Sequence, residues 1–129
     1  MARRAARLAN CTMNMKVLRN RMQILLLDYD QKFALKGEQL RKVLRIHAEE
    51  EKYFHCPQDT GDGDSYSFNE ALFGLNQAQI KQPGVTVMLY EGKNGKLDFR
   101  HDGKAVVAFV DETVKAVASI EAMKLRWKP

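Results

Sequence analysis

Cysteine, proline and long apolar runs are all scarce in this chain, and each scarcity excludes something. Two cysteines, Cys11 and Cys56, make no disulfide framework in 129 residues, so a reducing, intracellular compartment is expected. Three prolines and eight glycines leave out the disordered and collagen-like compositions. With 45% hydrophobic and 29% charged residues, the chain has an ordinary globular composition and the length to bury a modest core. No apolar stretch approaches the roughly 20 residues that a spanning helix needs, so no membrane span is expected and the chain reads as soluble or peripheral. One further scarcity is local: no acidic residue precedes Asp28.

That gap shapes the charge distribution. The net charge of +5 divides into 12 Lys/Arg against 6 Asp/Glu over residues 1–54 and 9 against 10 over residues 55–129. The excess lies in the first half, and Arg3, Arg4, Arg7, Lys16, Arg19 and Arg21 carry it before any acid appears. An acid-free, Arg-rich amphipathic start is also how a mitochondrial presequence looks, which makes the mitochondrial matrix the alternative address. The segment is poor in Ser, and its apolar rhythm continues without a break into the residues beyond it.

The rhythm is Leu8, Cys11, Met15, Leu18, Met22, Leu25, Tyr29, a 3-4 alternation over three heptads that predicts a helix with a coiled-coil-like seam. Beyond Tyr29 the phase slips to Phe33, and Leu40, Val43 or Leu44, His47 and Phe54 continue it more weakly. Either one helix of nearly 50 residues, roughly 75 Å long, runs to residue 53, or the chain bends near Gly37 into two helices. A narrow seam of this kind needs an apolar partner surface, so Leu8, Met15, Leu18, Met22 and Leu25 are the candidate interface.

Residues 55–63 (HCPQDTGDG) read as the loop that ends a basic helical segment, 1–54, and opens a small α+β unit, 55–129. Ser67, with Glu70 three residues on, predicts a capped short helix over residues 67–76. Strands are expected at 85–90, 97–100 and 105–110, joined by the Asn94-Gly95 and Asp102-Gly103 turns into a three-stranded antiparallel meander. A last helix is expected with Asp111 as its N-cap and Val114, Val117, Ile120 or Ala118, Met123 and Trp127 facing inward. The fold class is therefore α+β: a long basic helix or helix pair, a short helix, the meander and a C-terminal helix.

Three stretches are similar to known motifs. Residues 59–70 (DTGDGDSYSFNE) resemble a calcium-binding EF-hand loop in length and in their first and last residues, Asp59 and Glu70. Gly61 and Gly63 stand where ligands belong and Asp64 where the sharp turn needs Gly, so an acidic turn is expected instead. Glu121-Ala122-Met123-Lys124 is similar to the tetrapeptide bearing the modified lysine of biotinyl carrier domains, which set that lysine on a hairpin tip ahead of a half-barrel of strands. Five residues follow Lys124 here, and it reads as an exposed residue of the last helix. The helix, meander, helix order resembles a double-stranded-RNA-binding domain in architecture. Asp111-Glu112-Thr113 occupies the start of the last helix where such domains carry Ser-Lys-Lys, and an acidic helix start repels phosphate.

His47, His55 and Cys56, with Asp59, are the nearest approach to a metal-ligand set, but no second Cys or His pair accompanies them. No metal and no cofactor is expected. No nucleophile elbow, phosphate-cradling loop or dinucleotide fingerprint is present, and a non-enzymatic chain is expected. The reading is an interaction protein, a subunit of a nucleoprotein or viral assembly. Its partners would be a helix of a second copy or another protein, with nucleic acid as a further candidate, held by Arg3, Arg4, Arg7, Lys16, Arg19 and Arg21. The alternative is a small ligand-binding or inhibitory module with a pocket between sheet and helices and with Arg100 and His101 at its rim.

Overall fold

The computed structural model describes residues 2–48 and 51–129, without the side chains of residues 2 and 46–48. Helix α1 (Ala2–Asp28) begins the fold and α2 (Gly37–Ala48) succeeds it, so the chain adopts two helices and not one of 50 residues. α1 stops because Asp30 and Gln31 both take positive φ, 54° and 68°, which no right-handed helix accommodates. The Gln31 N–H closes the helix end on the Leu26 carbonyl. Gly37, expected to end the first helix, opens the second with φ +58°.

The seam of α1 is spent inside the chain. Cys11, Met15, Leu18, Met22, Leu25 and Leu26 are buried against α2, the 3-10 turn Glu51–Phe54 and the sheet, and Leu8 packs partly buried beside them. Each such side chain contributes roughly 1.5–3 kcal/mol on leaving water, which holds a helix that has no acid in its first turn to favour its N-terminus. Tyr29, placed by its spacing at the end of the seam, is exposed.

The sheet is antiparallel and has five strands, more than the expected three: β1 (Tyr66–Phe68), β2 (Val87–Lys93), β3 (Lys96–Leu97), β4 (Lys104–Phe109) and β5 (Val114–Ala118). The order is β1-β2-β4-β5, with β3 paired to the end of β2. Asn94 and Gly95 take positive φ at the tip of the β2–β3 hairpin, as an Asn-Gly turn of this length requires. Gly92, with φ +149°, has no room for a Cβ because the Lys96 carbonyl occupies that position.

Both faces of the sheet are covered, which explains the near-continuous apolar runs of β2 and β4. Met88, Leu89, Val106, Ala108 and Val110 join the core under the helices. Val87, Tyr90, Val107, Phe109 and Val117 form a second cluster on the other face, closed by Leu125 and Trp127. A register shift between Val87 and Leu89 puts Met88 and Leu89 on the same side. Trp127 meets Tyr90 edge-on at 4.8 Å.

Two expected helices differ: one is absent as a regular helix, and the C-terminal one is shorter and begins later, after a strand. Within 67–76, Ser67 and Phe68 end β1 and Glu70–Leu72 forms a 3-10 turn. The Ser67 hydroxyl donates to the Gly92 carbonyl across the sheet, and Asn69 does the capping. The chain after Asp111 makes a tight turn into β5 and only then a short helix, α3 (Ser119–Ala122). The Asp111 carboxylate accepts the Thr113 N–H and hydroxyl, a local pairing that serves a turn as readily as a helix start. Among the described residues, no helix is long and apolar enough to cross a membrane.

Candidate functional site

Four chemistry-bearing side chains meet between α1 and the sheet: Cys11 from α1, Cys56 from the loop after Glu51–Phe54, Glu91 from β2 and His101 from the turn before β4. Their donor atoms all lie within 4.8 Å of one another. The first three are 0% exposed and His101 is 6% exposed. His101 Nε2 lies 3.3 Å from the Cys56 sulfur and 3.1 Å from Glu91 Oε2. The Tyr66 hydroxyl donates to the Cys11 sulfur at 3.1 Å. Glu91 Oε1 accepts the Val106 N–H at 3.0 Å, and Arg100 reaches Oε2 at 3.1 Å. His101 Nδ1 is buried with no partner among the described residues.

The electrostatics arise from that packing. Contact with Cys56 pushes the Cys11 thiol above its ordinary range, burial and the Glu91 charge add to this, and the Tyr66 hydroxyl opposes them. Burial raises Tyr66 in the same way, helped by Cys11. Burial works against the Arg100 guanidinium, but Glu91, Asp98 and Asp59 outweigh it and hold Arg100 more firmly charged. A nucleophile relay would set the carboxylate on one imidazole nitrogen and the thiol on the other. Here Cys56 and Glu91 approach the same nitrogen, so the arrangement is a convergence of donors on one point.

His55, adjacent to Cys56 in sequence, points elsewhere. Its two ring nitrogens face the carbonyls of Gly63 at 2.8 Å and Asp59 at 3.0 Å, and only the doubly protonated ring can donate to both. The Gly63 carbonyl is the main cause of a raised His55 pKa; burial opposes it, and the Asp59 carbonyl and charge add to it. A group whose pKa is higher folded than unfolded stabilises the fold fully below about 6.5 and loses that contribution as pH rises through the folded value. The melting temperature should therefore fall as pH is raised from about 6 to about 8, and part of that fall should vanish in His55→Ala. Identical pH profiles for parent and variant would show that the imidazolium does not anchor this loop.

Asp59 is turned inward to the Ser65 hydroxyl at 2.8 Å and Arg100 at 3.3 Å, away from any calcium-loop geometry with Glu70. Burial works to raise its carboxyl, and the Gly61 N–H, Ser65 and Arg100 together bring it below the ordinary range. The His47 side chain lies outside the described residues. Lys124 is exposed just past α3.

The six basic residues of α1 divide. Arg3, Arg4, Arg7 and Lys16 are exposed, and Arg21 is half-buried. Arg4 pairs with Asp102 at 3.1 Å, with both side chains about two-thirds exposed, and Arg7 donates to Gln58 at 2.8 Å. Arg19 is 2% exposed and spends its guanidinium on the Phe109 and Val110 carbonyls, so it faces no external anion. This burial corrects the expectation that all six stay in solvent.

A cleft of about 720 Å³ lies between α2 and the sheet edge at β1, with Leu40, Leu44, Phe54 and Phe68 in its walls. Arg41 and Arg45 stand at it, both paired with Asp64. Arg100 and His101, expected at the rim of such a pocket, belong to the buried cluster instead. No signal in the sequence marks that cluster, because its members come from four separate elements and Cys56 and His101 stand 45 residues apart. Comparison with protein-family models, with curated proteins and with solved structures gives no match.

Proposed function

We propose that the chain is a non-enzymatic interaction protein, a subunit of a nucleoprotein or similar assembly, that offers the outer face of α1 to a polyanion. One observation carries the reading: Arg3, Arg4, Arg7 and Lys16 stand exposed on a single helix with no acid before Asp28. The seam residues Leu8, Met15, Leu18, Met22 and Leu25 pack into the chain's own core, which leaves the exposed arginines and lysine, with Met13, Ile24 and Leu27, as the surface this helix offers. The exposed Arg4–Asp102 pair is worth little in water and gives way to a phosphate at small cost.

Titration of duplex DNA at several salt concentrations tests it. Four phosphate contacts give log affinity a slope near −3.6 against log salt, and Arg3, Arg4 and Arg7 changed together to Gln remove up to about 2.7 of it. Coincident curves for parent and triple variant, or no binding at low salt, would end the reading. The cleft favours a second reading, a small-molecule site between α2 and β1, because its size and apolar walls suit a small ligand. A ligand there would protect the α2 and β1 amides from hydrogen exchange and leave α1 unchanged.

A further inference from the structure

We propose that Cys11, Cys56, His101 and Glu91 are the four ligands of one buried divalent metal ion of zinc type, tying α1 to the sheet. The geometry comes first. A tetrahedral ion with bonds of about 2.3 Å to sulfur and 2.0–2.2 Å to nitrogen and oxygen has ligand-to-ligand edges of roughly 3.2–3.8 Å. Two edges here are 3.3 Å, Cys56 to His101, and 3.1 Å, His101 to Glu91, and no pair exceeds 4.8 Å. The remaining edges, at most 4.8 Å, close to the tetrahedral range by adjustment of the side chains on binding.

The donor set selects the ion. Two sulfurs, an imidazole and one carboxylate suit a borderline-soft cation, whereas calcium and magnesium take oxygen shells. Charge balance points the same way. Two thiolates and the Glu91 carboxylate carry −3, which a +2 ion offsets in large part, and the Arg100 guanidinium, shared with Asp59 and Asp98, lies on Glu91 Oε2. Binding releases one proton from each thiol, and His101 presents its Nε2 lone pair with its ring proton on Nδ1.

A supporting shell is also in place. The Tyr66 hydroxyl holds the Cys11 sulfur, the Val106 N–H holds Glu91 Oε1, and Arg100 is itself held by Asp59 and Asp98. All four coordination positions are filled by protein, the pattern of a structural site and not of a catalytic one. A small cleft of about 270 Å³, lined by Leu8, Gln58 and His101 and crossed by the Arg4–Asp102 pair, provides the way in.

The test uses the full chain, reduced and stripped with a chelator, then titrated with cobalt(II) or zinc(II) alone. One cobalt per chain should bind with a thiolate-to-metal charge-transfer band and the intense visible bands of a tetrahedral ion. Zinc should displace the cobalt, and zinc added to the stripped chain should release about two protons per ion near neutral pH and raise the melting temperature by several degrees. Cys56→Ser and Cys11→Ser should each weaken zinc binding by about 100-fold or more, with the charge-transfer band reduced in each. Proton release and the cobalt spectrum are read on the parent chain, so the proposal stays testable if a variant fails to fold. A reduced, folded parent that takes up no cobalt or zinc overturns it. So does a cobalt complex without a charge-transfer band, or binding unchanged in both serine variants. Reduced thiols that only form a Cys11–Cys56 disulfide in air and bind neither ion would also overturn it.

Discussion

Replacing Glu91 with Ala is expected to destabilise the fold by about 3–5 kcal/mol, the cost of breaking one side of a buried charged network. Glu91 is 0% exposed; its two oxygens accept from the Val106 N–H and Arg100, and Oε2 lies 3.1 Å from His101 Nε2. Removing the carboxylate leaves the Val106 N–H without its partner inside the sheet and strips Arg100 of its innermost counter-charge. Arg100 keeps Asp59 and Asp98, so the loss stays short of a fully orphaned cation. Glu91→Gln keeps the shape and one acceptor and should lose less, about 1–3 kcal/mol. Urea midpoints measured with a chelator present, at unchanged denaturant slope, read the network alone. A Glu91→Ala midpoint equal to that of the parent would show that the cluster does not hold the two layers together.

The Arg19→Ala variant should lose about 3–4 kcal/mol, because the side chain is a structural cation and not a surface one. Its Nε donates to the Phe109 carbonyl at 2.9 Å and Nη2 to the Val110 carbonyl at 2.8 Å, while Nη1 reaches Gln23 at 3.1 Å. These carbonyls end β4, where the strand turns toward β5 and the ladder no longer satisfies them. Val110 retains a longer bond from Gln77, at 3.3 Å, and the Phe109 carbonyl retains the Glu112 N–H at 3.1 Å; both lose their charged donor. Burial lowers the Arg19 pKa, and the charges of Glu112 and Asp111 pull it back, so the guanidinium stays paired by field as well as by contact. Arg19→Met keeps the packed stem and should lose about 1 kcal/mol less than Ala. Thermal melts of the two variants separate packing from hydrogen bonding; equal losses would assign the whole effect to the lost hydrogen bonds.

How much of the fold is legible in the sequence depends on the range of the interaction that decides each element. The 3-4 spacing of Cys11, Met15, Leu18, Met22 and Leu25 predicts a helix with one buried face, and α1 is that helix. What covers the face is not legible, since a coiled-coil partner and a sheet bury the same stripe equally well. The Asn94-Gly95 pair marks a hairpin because both positions need positive φ, a demand met within two residues. Residues 67–76 and 111–123 read as helices because Ser67, Glu70 and Asp111 look like caps, whereas the Ser67 and Asp111 side chains serve a cross-strand bond and a turn. Short apolar runs satisfy both periods, and pairing with β2 and β4 decides for strand. His55 is a metal candidate by its nearness to Cys56 in sequence, but its ring turns to the Gly63 and Asp59 carbonyls.

Taken alone, the sequence determined the amphipathic basic helix at the start, the mixed α+β class, the hairpin at Asn94-Gly95 and the concentration of positive charge before Asp28. Each rests on local periodicity, turn stereochemistry or composition, which involve residues within a few positions of one another. The tertiary structure alone decided that the seam is covered by the chain's own sheet and α2, that Arg19 is buried, and that Cys11, Cys56, Glu91 and His101 share one buried site. Those outcomes require strands and helices far apart in the chain to pack in one register. A β4 that presents Val106 and Val110 to α1 also carries Phe109 and Val110 carbonyls to Arg19, and a β2 shifted at Met88 turns Glu91 inward beneath His101.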